Sequence, residues 1–279
     1  MQDEVAANLN LWEGWAHLHM HGPGYDVEGF IANPSARPFD RIISEVVGDV
    51  TGKRLLHLEC HIGLDTLRFA LNGAASVTGV DFSPRAIAFA RSIAGRIGIA
   101  AEFVESDVTA LPPSVPEGAF DVVFTSYGAI SWLPDLEPWA DSIATRLAPG
   151  GVFHVIDGHP FSWIFDDEAP EPPLRVAYPY FGREPVYFEE HGSYAERDAD
   201  FVADSYSWQH TFAEIVGVLV RRGLIVRELR EYPVCAWKAF GFMEKDADGL
   251  WHLPAGAGDV PLMFALTVEK PATGACEKA

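Results

Sequence analysis

Arg54-Leu55-Leu56-His57-Leu58-Glu59-Cys60-His61-Ile62-Gly63-Leu64-Asp65-Thr66 is followed by Ala75-Ser76-Val77-Thr78-Gly79-Val80-Asp81-Phe82-Ser83-Pro84. The first seven residues, with Leu55, Leu56 and Leu58 among them, have the length and character of a strand. A helical pattern follows from Gly63 to Leu71 and is closed by Gly73. Ala75 to Asp81 is a second strand, and Ser83-Pro84 then opens a helix with a hydroxyl at the N-cap and proline at the first helical position. Ala86, Ile87, Ala90, Ile93 and Ile97 give that helix one apolar face, and Gly98 ends it. Working outward, Ala101 to Val104 and Phe120 to Phe124 are a third and a fourth strand. Leu136, Trp139, Ile143 and Leu147 mark another amphipathic helix, Pro149-Gly150-Gly151 is a turn, and Val152 to Ile156 is a fifth strand. Strands alternating with helices across short loops imply parallel βαβ units and a doubly wound α/β sheet.

The alternation stops at Asp157. His159 to Asp204 is rich in Pro, Glu, Tyr and Phe, with strand-like pieces at Arg175–Tyr178 and Val186–Glu189. Thr211-Phe212-Ala213-Glu214 is a capping box for a helix that runs to Arg222. Strands are expected at Leu224–Glu231 and Pro261–Val268. This divides the chain into an N-terminal helical lid (1–45), a first part of the core (46–157), a capping insertion (158–204) and a second part of the core (205–279). An insertion of roughly 45 residues is longer than an ordinary connection, and such segments are commonly functional lids.

Composition narrows the function. The 279 residues hold 20 Lys plus Arg against 40 Asp plus Glu, a net charge of −20. Nucleic acid and anionic membrane surfaces both require the opposite sign. No apolar run reaches the length of a spanning helix, and the N-terminus is acidic where a signal peptide is basic. Cys60, Cys235 and Cys276 are three and widely separated, so no disulfide framework or Cys-x-x-Cys metal site is expected. The expected setting is the cytoplasm.

Ligands of doubly wound sheets sit beyond the carboxyl ends of the strands. There the first strand offers Glu59, Cys60, His61 and Gly63, and a helix N-terminus suited to an anionic group. Asp81 ends the second strand, where a carboxylate can accept from both hydroxyls of a ribose. Asp107, after the third strand, is placed to accept from an adenine amine. Gly-x-Gly-x-x-Gly is absent, because His61 and Asp65 stand where glycines would be needed, and no P-loop exists. The pattern points to an adenosine ligand without a pyrophosphate.

These motifs together resemble the class I S-adenosylmethionine-dependent methyltransferases, in particular a bacterial small-molecule subgroup. The likeness rests on Leu55–Gly63, Gly79–Ser83, Glu105-Ser106-Asp107, Phe120–Ser126 and Leu147–Gly151, in that order. It implies a Rossmann-like seven-stranded sheet whose last strand is antiparallel. It also implies S-adenosyl-L-methionine as cofactor, held by Glu59, Cys60, His61, Gly63, Asp81, Phe82, Asp107, Val108 and Ser126. The chain departs from the family where Asp, Gly and Gly are usual and His57, Glu59 and His61 stand. Side chains at 59 and 61 demand either ordinary backbone angles or tolerated strain.

Methyl transfer from a sulfonium is an in-line displacement that needs alignment in a dry site, with a base where the acceptor must lose a proton. His159, oriented by Asp157, is the expected catalytic pair. Trp15, Tyr25, Tyr127, Trp132 and Trp163 are the expected walls around a small, partly apolar or aromatic acceptor. His17-x-His19-x-His21 is the one metal-like pattern, and without partnering acids it implies no metal. The reading is thus a methyltransferase acting on O, N or C of a small molecule, without nucleic acid or membrane, and compatible with a homodimer. Two alternatives stay open: a non-catalytic adenosyl-binding protein and a nicotinamide-dependent oxidoreductase.

Overall fold

Seven strands lie in the order β3-β2-β1-β4-β5-β12-β8 in a computed structural model that describes residues 2–36 and 38–272. They are β1 (Arg54–Leu58), β2 (Ser76–Asp81), β3 (Glu102–Glu105), β4 (Phe120–Ser126), β5 (Leu147–Gly158), β8 (Ile225–Tyr232) and β12 (Met263–Glu269). The first five run parallel, and β12 lies antiparallel between β5 and β8, as expected for the last strand. The order reverses at β1, which puts the topological switch point beside the β1–β4 boundary.

The helices follow the sequence signals. Helix α4 (Leu64–Leu71) starts from Gly63, and α5 (Pro84–Ile97) is capped by Ser83, whose side chain accepts from the Ala86 N–H. Helix α6 (Leu136–Arg146) buries Leu136, Trp139 and Ile143. Helix α7 (Phe212–Arg221) opens on the reciprocal capping box of Thr211 and Glu214. One apolar layer joins α6 and α7 to the sheet through Trp139, Phe153, Leu219 and Phe264. On the other face, α4 and α5 pack Leu67, Ile87, Ala90 and Ile93 against Phe30 of the N-terminal segment.

That segment comprises α1 (Gln2–His21), α2 (Val27–Ala32) and α3 (Arg41–Val47). Helix α1 packs against α5 and against strand β7 (Val202–Ser207). Its attachment to β7 is specific, because the buried Asn8 amide donates to the Tyr206 C=O and accepts from the Tyr206 N–H, both at 2.8 Å. A side-chain amide thereby satisfies both backbone groups of a strand residue.

The insertion differs in detail from expectation. Its centre is a hairpin of β6 (Val186–His191) and β7 (Val202–Ser207), so β7 runs past residue 204. Arg175–Tyr178 forms no strand, only an isolated bridge between Val176 and Phe165. A second excursion, between β8 and β12, builds a small sheet of β9 (Val234–Cys235), β10 (Glu244–Lys245) and β11 (Trp251–His252). Strands of two residues carry no detectable alternation, which is why the sequence gives no sign of this sheet. Cys60 and Cys235 are buried thiols, and Cys276 lies outside the described residues. Among the described residues, no helix is long and apolar enough to cross a membrane.

Candidate active site

The loop after β1 settles the question of residues 59 and 61. Glu59, His61 and Gly63 all lie in the left-handed region, with φ of +57°, +49° and +77°. The loop therefore keeps a glycine-type backbone while carrying two large side chains, at a cost of about 1–2 kcal/mol for each non-glycine residue. At Gly63 only glycine fits, since a Cβ would stand 2.6 Å from the Phe103 ring and 2.8 Å from Ala90.

This conformation aims backbone N–H groups at Asp81. The His61 N–H donates to Asp81 Oδ2 at 2.8 Å, and the Ser83 N–H donates to Oδ1 at 2.9 Å. An ionised carboxylate accepts about four hydrogen bonds, so each oxygen keeps capacity for a further donor. Burial, with no cationic partner, pushes the Asp81 carboxyl up to about 6. Glu13 of α1 accepts from the Ser83 hydroxyl and from the Arg85 N–H, tying that helix to the start of α5.

Glu59 is the second acid at the strand ends. Burial and the charges of Asp157, Asp81 and Asp107 push its carboxyl well above the usual range. Its Oε2 is shielded from solvent and has no hydrogen-bond partner among the described residues, and the same holds for Nδ1 of His61. The other ring nitrogen of His61 meets Nδ1 of His19 at 2.8 Å, and His19 Nε2 meets the Ser193 hydroxyl at 3.0 Å. Ser193 Oγ accepts from the backbone N–H groups of Glu196 and Ala195. Its hydroxyl proton is thus directed at His19 Nε2. His19 then donates from Nδ1 to His61 Nε2, which leaves the His61 proton on the unpartnered Nδ1. Both rings are neutral in this arrangement, because burial depresses His19 to about 3 and His61 well below the ordinary value.

The other expected cofactor residues lie around this loop. Cys60 is buried, with its thiol packed towards Gly79 of β2. Phe82 and Ser126 are half-buried at the ends of β2 and β4, and Val108 is in the core. Asp107 is exposed, and its Oδ1 accepts from the N–H and hydroxyl of Thr109, which fixes the turn after β3.

The expected catalytic pair is not formed. Asp157 does not orient His159. Its carboxylate accepts from the backbone N–H groups of Gly128, Ala129, Ile130 and Gly158. His159 Nδ1 accepts from the Phe161 N–H, Nε2 lies 3.0 Å from the Glu231 carboxylate on β8, and the ring stacks on Phe212. Nδ1 is committed to the scaffold, while Nε2 lies at ion-pair distance from Glu231 without a hydrogen bond. β5 ends at Gly158, so His159 lies beyond the strand, and the alternation that would place residues two apart on one face does not extend to it.

The aromatic residues divide into two groups. Trp15, Trp12 and Trp132 meet edge to face, and Tyr194 of the insertion joins them. Tyr25 stacks on His19 and shares a hydrogen bond with Tyr194. Tyr127 and Trp163 belong to the second group, both against Trp237. Sequence reasoning missed Glu13, Ser193 and Tyr194, none of which carries a local signal. It treated the histidines 17, 19 and 21 only as a metal pattern. On a helix that spacing puts His17 and His21 together, 4.8 Å between ring centroids, while His19 turns into the site, so the three do not converge.

Residues 55–151 match the family model of a methyltransferase domain. The ubiquinone biosynthesis O-methyltransferase of Bordetella pertussis is 29% identical over 136 residues, which is 48% of this chain and 55% of that protein. The trans-aconitate 2-methyltransferase of Escherichia coli O139:H28 is 34% identical over 115 residues, 40% of this chain and 42% of that protein. The chain thus spans about half the length of such curated relatives. An S-adenosylmethionine-dependent methyltransferase from Mesorhizobium loti shares the fold, with a TM-score of 0.57 at 19% identity over 87% of this chain and 99% of that one. Residues 55–151 thus form a methyltransferase domain, on the fold of solved S-adenosylmethionine-dependent methyltransferases. The cofactor of such a domain is S-adenosyl-L-methionine. The residues present fit it: Asp81 retains acceptor capacity for ribose hydroxyls, and Glu59 and His61 hold two shielded polar atoms without a partner among the described residues.

Proposed function

We propose that this methyltransferase domain moves a methyl group from S-adenosyl-L-methionine to an O, N or C nucleophile of a small, partly apolar or aromatic molecule. The observation that carries the reading is the β1 loop, which holds the left-handed backbone at 59, 61 and 63 and presents its N–H to Asp81. When bound, the sulfonium supplies an electrophilic methyl carbon. The protein then has to bind, align and exclude water. In this reading Asp81 takes the ribose hydroxyls, Asp107 the adenine amine, and Val108 and Phe82 the adenine faces. Helix α1 and the β6–β7 hairpin close over the acceptor through Trp12, Trp15, Trp132, Tyr25 and Tyr194.

Relatives named for a ubiquinone-biosynthesis O-methylation and for trans-aconitate support a small-molecule acceptor. The net charge of −20 opposes a nucleic-acid one. With the His159 ring stacked on Phe212 and its Nδ1 accepting from the Phe161 N–H, the reading assigns it no proton transfer. A nicotinamide cofactor has little support, since no pyrophosphate loop is present.

The test is calorimetric titration with S-adenosylmethionine, S-adenosylhomocysteine and NAD. Binding of the two adenosyl compounds and not NAD is expected. Asp81→Ala should weaken both by about 100-fold, as expected for losing a charged acceptor of two hydroxyls, while thermal unfolding stays cooperative. Unchanged affinity in that variant, or no adenosyl binding by the wild type, overturns the reading. Tight binding with no turnover across an acceptor panel would favour the non-catalytic alternative.

A further inference from the structure

Glu59 and His61 stand two residues apart on the loop that receives the cofactor, each with its side chain attached to a left-handed backbone. They hold two of the buried polar side-chain atoms that find no partner among the described residues, Oε2 of Glu59 and Nδ1 of His61. The two atoms are complementary in kind. A carboxylate oxygen only accepts. Nδ1 of His61 carries a proton, because Ser193 donates to His19 and His19 donates to His61 Nε2. Leaving a shielded acceptor and a shielded donor unpaired costs about 1–3 kcal/mol each. The surroundings add a charge argument. The groups that act on Glu59 are the carboxylates of Asp157, Asp81 and Asp107, and Glu13 of α1 acts on Asp81. A ligand group with a positive charge at Glu59 and an acceptor at His61 would relieve both deficits.

The amino-acid end of S-adenosylmethionine has those two features, an α-ammonium and an α-carboxylate on one carbon. Resting on the proposed function, we propose that Glu59 and His61 form a side-chain clamp for this zwitterion, Glu59 accepting from the ammonium and His61 Nδ1–H donating to the carboxylate. The clamp replaces contacts that a loop with glycine at both positions could make only with its backbone. His19 and Ser193 are positioning residues. They hold the proton on the correct nitrogen of His61, and they couple the clamp to α1 and to the insertion.

Three ligands separate the parts: S-adenosylmethionine, its decarboxylated form, which keeps the ammonium, and 5′-methylthioadenosine, which has neither charge. Calorimetric affinities for each are measured on the wild type, Glu59→Gln, His61→Gly and His61→Asn, with thermal melts confirming the fold. Glu59→Gln should weaken S-adenosylmethionine and its decarboxylated form by at least tenfold and leave 5′-methylthioadenosine within twofold. His61→Gly should weaken S-adenosylmethionine by a similar factor but spare the other two. His61→Asn, which keeps an N–H donor and tolerates the left-handed region, should recover part of the loss. Equal effects of either variant on all three ligands, or no effect on any, overturn the clamp while leaving the cofactor assignment intact. Failure of the wild type to bind all three overturns the proposed function itself and the clamp with it.

Discussion

Glu59 and His61 hold φ values of +57° and +49°, where L-residues pay a steric cost that glycine avoids. Strain of this kind persists only where something else fixes the backbone, and here the His61 N–H bond to Asp81 and the packing of Gly63 on Phe103 do so. A stability consequence follows at single residues. Glu59→Gly and His61→Gly should each raise stability by about 1 kcal/mol, which for a chain of this size is a rise of about 2–4 °C in melting temperature. Differential scanning calorimetry decides it, and a fall in either variant would contradict the strain assignment. Side chains that cost stability and weaken ligand binding when removed are the signature of residues kept for the site.

At the level of elements, Asp157 is a staple between β5 and the loop after β4. Four backbone N–H groups, from Gly128, Ala129, Ile130 and Gly158, share its two oxygens. That loop includes Tyr127, whose φ is +56° and whose hydroxyl donates to Asp40 at the start of α3. Asp157→Ala would orphan several buried donors together, and a loss of about 3 kcal/mol or more is expected. Urea denaturation measures the loss, and hydrogen exchange at residues 128–130 should accelerate in the same variant. If exchange there is unchanged, the loop is held by something other than this carboxylate. Helix α1 is joined by different chemistry: Asn8 on Tyr206, Glu13 on Ser83 and His19 on Ser193 bind it to two separate parts of the chain.

For the whole molecule, the buried histidines set the pH dependence of stability. Burial lowers His19 to about 3 and His57 and His154 to about 4, from an ordinary value of 6.5. Below pH 6.5 the unfolded chain takes up protons that the folded chain refuses, so stability falls as pH drops towards those values. At pH 5 each such histidine costs about 2 kcal/mol. Asp81 works in the opposite sense. Its carboxyl, raised to about 6 from 3.8, is protonated earlier in the folded protein and gains stability as pH falls through that window. Glu59 and Asp157, also raised by burial, act with Asp81, while His61 and His210, lowered by burial, act with the three histidines, so the urea midpoint should be lower at pH 5 than at pH 7. Equal midpoints would show that these histidines are protonated inside the fold.

The alternating core and the acid at the end of its second strand are written in the chain itself. The periodicity of Leu136, Trp139 and Ile143, the Ser83-Pro84 start and the Thr211–Glu214 capping box act over three or four residues, so they are written where they operate. Asp81 was legible for the same reason, since a strand end is a local feature. Tertiary structure alone decided what Asp157 and His159 do. It took one to the N–H groups of the β4 loop and the other to Glu231 on β8, across separations that no motif spans. It also brought His19 to His61, 42 residues away, and to Ser193, 174 residues away. Such pairings depend on how helices and hairpins dock on the finished sheet. Docking follows from the shape of buried surfaces and the satisfaction of polar groups inside them, neither of which leaves a periodic trace in the chain.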